Sequence, residues 1–342
     1  MANITDVAKL AEVSKTTVSR VINRPELVGD KTRKRVLDAM SRLDYTPSPM
    51  ARWLTLRKTQ NLAVVCVGGK QYRNSFFLLE VVDGIRDRAS ELEYHTLLFS
   101  GILGTEQELI RRKVMKENRA DAVIVVGSDL EPGAIIALNS RKIPFILINR
   151  SYVGENIHWV SAKVREGMFK VIKYLIELGH REIGFVGNIQ SSATFRERLE
   201  GYRSALEQSG IPFVDELAPV MRSPREMDRE KAGAEVAEKM LRRLRPTAIA
   251  CATDYLAIGA MRALKSMGFS MPGDISITGF DDIAIADYLE PPLTTARMPM
   301  YEMGAAAAEM AILRLAHPDR KFRNRMLDTK LVVRESCSAP RR

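Results

Sequence analysis

The chain has 342 residues, 46% of them hydrophobic and 27% charged, which is the composition of a soluble globular protein with two or three domains. No run approaches the roughly 20 apolar residues that a membrane-spanning helix needs, and no secretory signal is visible at the amino terminus, so we expect a cytoplasmic protein. The three cysteines are widely separated and are expected to be buried thiols without a metal or catalytic role: Cys66, Cys251 and Cys337.

The net charge of +10 is unevenly distributed along the chain. Residues 1–60 hold 12 Lys and Arg against 6 Asp and Glu, a net charge of +6, so the other 282 residues carry only +4. A basic end on a nearly neutral body indicates a polyanion as the partner of that end. A solubilising tail is a poorer explanation, because the same segment carries apolar residues at helical spacing.

The amino-terminal segment has the pattern of three short amphipathic helices. Asn3 and Ser14 can each cap a helix, because their side-chain oxygens accept the unpaired amide protons of a first turn. Only Glu12 and Val13 separate the first two helices, so these must cross steeply, as in a helix-turn-helix. A third helix is predicted over about 30–43. The positions predicted to face a shared core are Val7, Ala8, Leu10, Ala11, Val18, Val21, Ile22, Val36, Leu37, Met40 and Leu43.

The opposite face of the second helix is polar. It carries hydrogen-bond donors and small hydroxyls near its amino-terminal end, namely Lys15, Thr16, Thr17, Ser19 and Arg20. Such groups suit the base edges and phosphates of a DNA major groove. Taken alone, the same cluster could be an ordinary solvated helix face.

Several motifs resemble one known family along nearly the whole chain. DVAKLAEVSKTTVSRVIN followed by KTRKRVLDAMSRLDYTP resembles the DNA-binding headpiece of the LacI/GalR family of bacterial transcriptional regulators. Further matches follow in the family's order: PSPMARWL, ELGHREIGFVG, ATDYLAIGAMRAL, ISITGFDD and EPPLTTARMP. The resemblance implies an α/β body of the two-lobed, periplasmic-binding-protein-like type with parallel sheets, preceded by an all-α helix-turn-helix headpiece.

The resemblance also implies roles in DNA binding. Lys15, Thr16 and Arg20 match the positions that read bases. The positions that match backbone-contacting or positioning roles are Thr17, Ser19, Asn23 and Thr32. Two residues depart from the family pattern: Glu12 stands where Gly is usual in the turn, and Gly29 stands where Ser commonly begins the third helix. A non-Gly residue at positive φ costs on the order of 1 kcal/mol.

The segment 47–60 is predicted to be a hinge between the headpiece, 1–46, and the body, 61–342. It is too short to be stably helical alone in water. The resemblance implies that it becomes helical on DNA, with Ala51 in the hinge helix and Leu54 wedged between base pairs in the minor groove. The alternative is a plain flexible linker.

From Leu62 onward, short apolar runs alternate with helical stretches, which indicates parallel sheets covered on both faces. The rhythm repeats after about residue 160, so we expect two similar subdomains with a cleft between them. The resemblance implies three crossings between the subdomains. The predicted division is an N-subdomain at about 61–160 and 291–323 and a C-subdomain at about 161–290 and 324–342.

Ligands of open parallel sheets gather at the carboxyl ends of the strands. The polar and aromatic residues at those ends are Asn74, Phe76, Phe77, Asn149, Thr253 and Asp281, and we expect them at an effector site. Arg198 matches the family's effector-anchoring Arg, and a buried Arg facing Asp281 could hold diol hydroxyls. Asp254 is expected to be a helix cap.

Two further departures leave the effector open. Ala162 and Lys163 stand where family members often have an Asp-Asn pair, and Thr253 stands where Asn is common. A free sugar is therefore a weaker candidate for the effector, and Lys163 could favour a phosphorylated or carboxylated ligand. A site that has lost its small molecule is the third alternative.

The residues give no support to an enzyme, a metal site or a cofactor. The His residues show no metal spacing, no nucleophile–base arrangement stands out, and no Gly-rich phosphate loop is present. We therefore interpret the chain as a repressor of a carbohydrate-related catabolic operon, which binds a palindromic DNA operator as a homodimer under control of a small-molecule effector. One alternative is control by a protein partner instead of a metabolite, and a more remote one is a solute-binding protein.

Overall fold

The computed structural model describes residues 2–46, 58–66, 76–100, 117–127, 138–140, 143–149, 157–187, 193–221 and 228–341. The chain divides into two compact units, 1–60 and 61–342. Of the residues singled out above, Ala51, Leu54 and Asn74 lie outside the described segments, as does most of the predicted hinge. Their expected roles remain predictions.

The headpiece consists of short helices with well-formed amino-terminal caps. They are α1 (Ile4–Leu10), α2 (Lys15–Asn23) and α3 (Asp30–Arg42), with a 3-10 turn at Pro25–Leu27. Asn3 caps α1 in a capping box with Asp6, and Ser14 caps α2 by accepting the Thr17 amide at 3.0 Å. Glu12 lies in the turn at φ 50°, the left-handed conformation that favours Gly, the residue that the resemblance leads one to expect there.

The headpiece helices close a small core, as predicted, except at two positions. Leu10 and Leu37 were expected inside but are 45% and 50% exposed. Each adjoins a buried residue, Ala11 and Val36 respectively, and is therefore rotated by about 100° around its helix, away from the apolar stripe. Ala39 takes the inward place on α3 instead.

The body begins with a sheet of parallel strands in the order β10-β5-β4-β3-β1-β2. Its strands are β1 (Asn61–Cys66), β2 (His95–Ser100), β3 (Ala122–Val126), β4 (Phe145–Ile148), β5 (His158–Ala162) and β10 (Arg325–Leu327). Leu62 and Val64 face one hydrophobic cluster, whereas Ala63 and Val65 face a separate one. Both faces of the sheet are therefore covered, as its continuous apolar strands predict.

Two helices cover one face of this sheet: α4 (Phe76–Glu91) and α9 (Met300–Ala316). They pack closely together, and a Cβ at Gly84 would overlap the Tyr301 carbonyl oxygen. The sequence pattern had not indicated α9, because its Ala-rich core face gives it little amphipathic contrast with the polar positions between.

The second sheet holds the parallel strands β6 (Ile183–Val186), β7 (Ala248–Cys251) and β8 (Ser276–Thr278). The antiparallel pair β9 (Thr295–Arg297) and β11 (Lys330–Val332) is attached to it, because single bridges join Thr278 to Thr294 and Asp281 to Arg297. The surrounding helices are α5 (Val164–Glu177), α6 (Ala193–Gln208), α7 (Arg229–Arg243) and α8 (Asp254–Ser266).

These pairings correct the predicted subdomain boundaries. The bridges attach β9 to the second sheet, so the chain returns to the first sheet with α9 and not at residue 291. β10 pairs with β5 in the first sheet, so the tail joins the C-subdomain after β10 and not at 324. A strand of three residues is too short to show an alternation of apolar and polar residues. The hydrogen bonds that fix its position cannot be predicted from the sequence.

Two predictions from the composition concern membrane-spanning helices and the cysteines. No helix in the described segments is long and apolar enough to cross a membrane. Cys66 and Cys251 are buried and Cys337 is half-buried, and all three are free thiols. Burial raises the pKa of the Cys66 thiol to about 12, so this thiol stays protonated and unreactive at neutral pH.

Candidate functional site

The polar face of α2 projects away from the headpiece core. Lys15, Thr16 and Arg20 are exposed, whereas Val18 and Val21 on the other side of the helix are buried. The helix is thus anchored by its apolar face and presents two cations and a hydroxyl to solvent. This geometry allows the side chains to reach base edges in a major groove.

The other predicted DNA-binding residues mainly shape the local structure. The Thr17 hydroxyl lies 2.9 Å from the Ser14 hydroxyl, and the Asn23 amide donates to the Ser19 hydroxyl at 3.3 Å. Thr32 is half-buried in the first turn of α3, where Gly29 supplies no side-chain cap. These hydroxyls remain at the rim of the exposed face, which is compatible with phosphate contacts.

Arg198 on α6 is the centre of a buried polar cluster in the body. It is 4% exposed, and its guanidinium donates to the Ala252 carbonyl at 2.6 Å and to Asp281 Oδ1 at 2.9 Å. The guanidinium also lies 4.2 Å from the centroid of the Phe280 ring. Burial lowers the Arg198 pKa from its ordinary value, and the Asp281 carboxylate opposes that change. The sequence prediction that Arg198 faces Asp281 is confirmed.

Arg198 Nε is buried without a hydrogen-bond partner. Asn149 Oδ1, at the carboxyl end of β4, is buried and unpartnered too, and Asn149 has φ 67°. Orphaned buried polar atoms are rare in folded proteins and indicate a missing ligand or water. We call the region beyond the carboxyl ends of the two sheets, where the sequence leads us to expect the effector, the ligand cleft; Asn149 follows β4 and Arg198 lies on α6.

The backbone that carries Asp281 is strained. Asp281 and Asp282 have φ values of 120° and 58°, a conformation that side chains other than Gly rarely adopt. Asp282 is held by ion pairs to Arg297 at 2.6 Å and to Arg334 at 2.8 Å. These contacts hold the loop in place, so that Asp281 meets Arg198.

Asp254 was expected to cap α8, and that expectation is wrong. Thr253 is the cap, since its hydroxyl accepts the Leu256 amide at 3.2 Å. Asp254 is the first helical residue, and it is fully buried. Its carboxylate accepts the Ile283 amide at 2.8 Å and the Thr295 hydroxyl at 2.6 Å, so it joins α8 to the loop after β8 and to β9.

This arrangement of Asp254 has two consequences. Burial, reinforced by the nearby Asp281 charge, raises the Asp254 pKa to about 7. Any Cβ at position 279 would overlap the Asp254 carboxylate, which explains Gly279 in the ISITGFDD motif.

The Thr253 hydroxyl, which was expected to contact the effector, accepts the Leu256 amide as the cap of α8.

The aromatic residues of α4 are half-buried against the main core. The backbone of Phe76 hydrogen-bonds to Tyr255 in the first turn of α8, a residue that the sequence reasoning missed. This contact joins α4, which packs on the first sheet, to α8, which follows β7 of the second sheet. Phe77 packs against the same core, so its position does not distinguish core from pocket floor.

Lys163 does not have a free ammonium group. Its Nζ lies 2.9 Å from Asp328 and 3.8 Å from Glu166, and Ala162 beside it is buried. The Asp328 hydrogen bond raises the Lys163 pKa. Both partners are exposed carboxylates, so the expectation that Lys163 could favour a phosphorylated or carboxylated ligand stays a prediction. In the part of the chain that the structure describes, no cluster of His, Cys, Asp and Glu could hold a metal ion.

Two family models match parts of the chain. Residues 3–48 match the model described as bacterial regulatory proteins, lacI family. Residues 172–337 match the model of a periplasmic binding protein-like domain.

Individual relatives match along almost the full length. The ribose operon repressor of Haemophilus influenzae is 31% identical over 339 residues, which is 98% of each chain. The structure of a lac repressor dimer bound to operator and the anti-inducer ONPF has a TM-score of 0.80 and 25% identity, over 99% of each chain. A complex of the regulator CelR with cellobiose has a TM-score of 0.74 and 27% identity, over 98% of this chain and 100% of that chain.

These relatives are transcriptional regulators and not enzymes, in agreement with the motifs read from the sequence. The chain belongs to the LacI family of bacterial regulatory proteins: it is a DNA-binding transcriptional regulator with a periplasmic-binding-protein-like ligand domain.

Proposed function

We propose that the protein represses a carbohydrate-related catabolic operon, by binding a palindromic operator as a homodimer whose affinity changes when a small molecule occupies the ligand cleft. The observation that carries the proposal is the exposed face of α2, where Lys15, Thr16 and Arg20 stand clear of the core. A similar repressor of a ribose operon and a similar repressor dimer on its operator support the finer terms of the proposal.

A second copy of the chain is the expected partner of an apolar surface on the body. Leu79 on α4 and Leu98 on β2 are 56% and 58% exposed. Among the described strands, β2 lies at one edge of the first sheet. Large apolar side chains exposed on the surface of a body support an interface there. A twofold dimer would double the headpieces and match the symmetry of a palindromic operator.

The ligand controls DNA binding only if it binds one conformation of the body better than another. The Phe76–Tyr255 contact and the Asp254 contacts to β9 support a cleft beside the segments that cross between subdomains. Ligand-driven movement of the subdomains could therefore change the spacing of the two headpieces. A complete absence of binding across sugars, sugar phosphates, sugar acids and purines would favour control by a protein partner.

The direct test of the DNA-binding surface is Arg20→Ala, compared with Arg42→Ala. Both side chains are exposed cations of the headpiece, but Arg42 lies in the last turn of α3. We expect Arg20→Ala to lose about 1–3 kcal/mol of operator affinity through lost base readout, with little loss on unrelated DNA. Fluorescence anisotropy with fragments from upstream of the gene measures both. Equal, small effects of the two substitutions would remove α2 from the reading surface.

A further inference from the structure

Arg229 is a second arginine at the ligand cleft that the sequence reasoning did not identify. It is the first residue of α7 and is half-buried. Its guanidinium lies 5.7 Å from the centroid of the Tyr255 ring, the ring whose hydroxyl group meets Phe76. Arg229 Nε is buried without a hydrogen-bond partner, and in the described segments no carboxylate forms an ion pair with Arg229.

The charge of Arg229 reaches the Arg198 cluster. It lowers the Arg198 pKa in addition to the larger effect of burial, and it opposes the rise that burial causes in the Asp281 pKa. Arg198 and Asp281 already neutralise each other at 2.9 Å. The two acidic neighbours of Arg229 in sequence, Asp228 and Glu230, share a hydrogen bond with each other. Among the described residues, Arg229 is therefore a cation beside the Arg198–Asp281 pair that has no ion-pair partner of its own.

Two further features give this place a preference for anions. The helices α7 and α8 both begin here, at Arg229 and Asp254, so the positive ends of two helix dipoles are close by. The neighbouring Arg198 guanidinium is 4% exposed and has a buried Nε that lacks an acceptor. The guanidinium of Arg229 is half-buried and has no carboxylate partner in the part of the chain that the structure describes, so it is well suited to a bidentate, charge-assisted hydrogen bond with a ligand oxyanion.

We propose that the effector is a sugar derivative carrying an anionic group, a carboxylate or a phosphate, and that Arg229 binds this group while Arg198 holds hydroxyls. The inference rests on the proposed function, because it takes the ligand cleft as the regulatory site. It also replaces Lys163, whose ammonium group is paired with Asp328, as the source of anion selectivity.

The test is isothermal titration calorimetry of the full-length protein with matched ligands. The pairs are glucose with glucuronate, galactose with galacturonate, glucose with glucose 6-phosphate, and ribose with ribose 5-phosphate. We expect at least one anionic member to bind about tenfold or more tightly than its neutral partner, the effect of one charge-assisted hydrogen bond. Binding of a carboxylate alone, or of a phosphate alone, identifies which oxyanion is recognised.

The variant Arg229→Gln should remove this preference and leave the neutral partner's affinity within about twofold. The matched control is Arg243→Gln, since Arg243 is exposed at the other end of the same helix. It should keep the preference. The inference is overturned if Arg229→Gln, folded by circular dichroism, binds the anionic ligand as tightly as the wild type, or if no anionic member binds better than its neutral partner.

Operator binding by the wild-type preparation is measured in parallel. A failure of the proposed function can then be distinguished from a failure of the proposed role of Arg229. Anion-selective binding without any operator preference would contradict the proposed function and leave the role of Arg229 standing. Operator binding together with neutral-sugar selectivity would contradict only the role of Arg229.

Discussion

At the scale of single residues, the body contains buried ionisable groups that lie close to one another. Arg198 and Asp281 are the central pair, and Asp254 is a third ionisable group fixed close to them. Removing one member of a buried pair leaves the other desolvated and uncompensated, which costs more than the pair itself contributes. Stability and ligand binding therefore depend on the same side chains.

Arg198→Ala should lower the free energy of unfolding of the body by about 3–5 kcal/mol, because Asp281 is left buried without its partner. The same variant should lose its response to the ligand. Urea denaturation followed by circular dichroism measures the loss of stability, and Arg203→Ala, an exposed arginine on the same helix, is the control. Equal stability of the two variants would show that the pair is not a buried charge pair in solution.

Asp254 makes a prediction about pH. Its folded pKa of about 7 exceeds the ordinary value near 4, so the native state binds the proton more tightly than the unfolded state does. The native state should therefore gain up to about 4 kcal/mol as the pH falls from 7 toward 4, a contribution that is lost as the pH rises through 7. Arg198, Asp281 and Asp282 are the charged groups around it.

Asp254→Asn tests this contribution, because Asn can still accept the Ile283 amide and can donate to the Thr295 hydroxyl. We expect the variant to show a flatter dependence of unfolding free energy on pH between 4 and 7. Denaturant midpoints at several pH values give the comparison. An unchanged slope would mean that Asp254 is ionised throughout this range.

At the scale of helices and strands, the headpiece shows how local rules fix an element. Asn3 and Ser14 cap the helices that they were expected to cap, and α3 ends within one residue of the prediction. Glu12 is the exception, since it holds a positive φ without being Gly. The turn is stable because both flanking helices pack on one core, at a conformational cost that Gly would avoid.

Glu12→Gly should stabilise the headpiece by about 1 kcal/mol, because Gly adopts the left-handed conformation without strain. Glu12→Ala keeps the strain and should give no such gain, which makes it the matched control. Hydrogen exchange of the α1 and α2 amides in the full-length protein reports the local opening free energy. If the alanine variant gains as much as the glycine variant, the effect of position 12 does not come from its backbone.

The sequence predicted elements well where one residue's chemistry or one apolar stripe decides the structure. Continuous apolar runs gave β1, β3, β4 and β7, and the family pattern gave Arg198 opposite Asp281. The pattern could not place β9–β11, because short strands are fixed by distant hydrogen bonds such as that between Thr295 and Asp254. Arg229 escaped notice because a charged residue at a helix start usually lies in solvent, and only its contact with Tyr255 shows otherwise.

At the scale of the whole molecule, the proposed function requires two copies of the chain and two kinds of ligand, DNA and a small molecule. A net charge of +6 in residues 1–60 favours binding of this unit to any duplex, and base readout by α2 would add selectivity. Dimerisation would multiply both effects on a palindrome. The anionic effector would then act through the body, where Arg229 and Arg198 lie beside the crossing segments.

The most direct measurement is the affinity of the purified protein for a palindromic fragment from its own promoter region, titrated by anisotropy at 50 to 300 mM salt, with sedimentation velocity on the same sample. We expect a dimer that prefers the palindrome to a scrambled duplex by about a thousandfold or more, with affinity falling steeply as salt increases. A monomer that binds both duplexes equally, without salt dependence, would contradict the account.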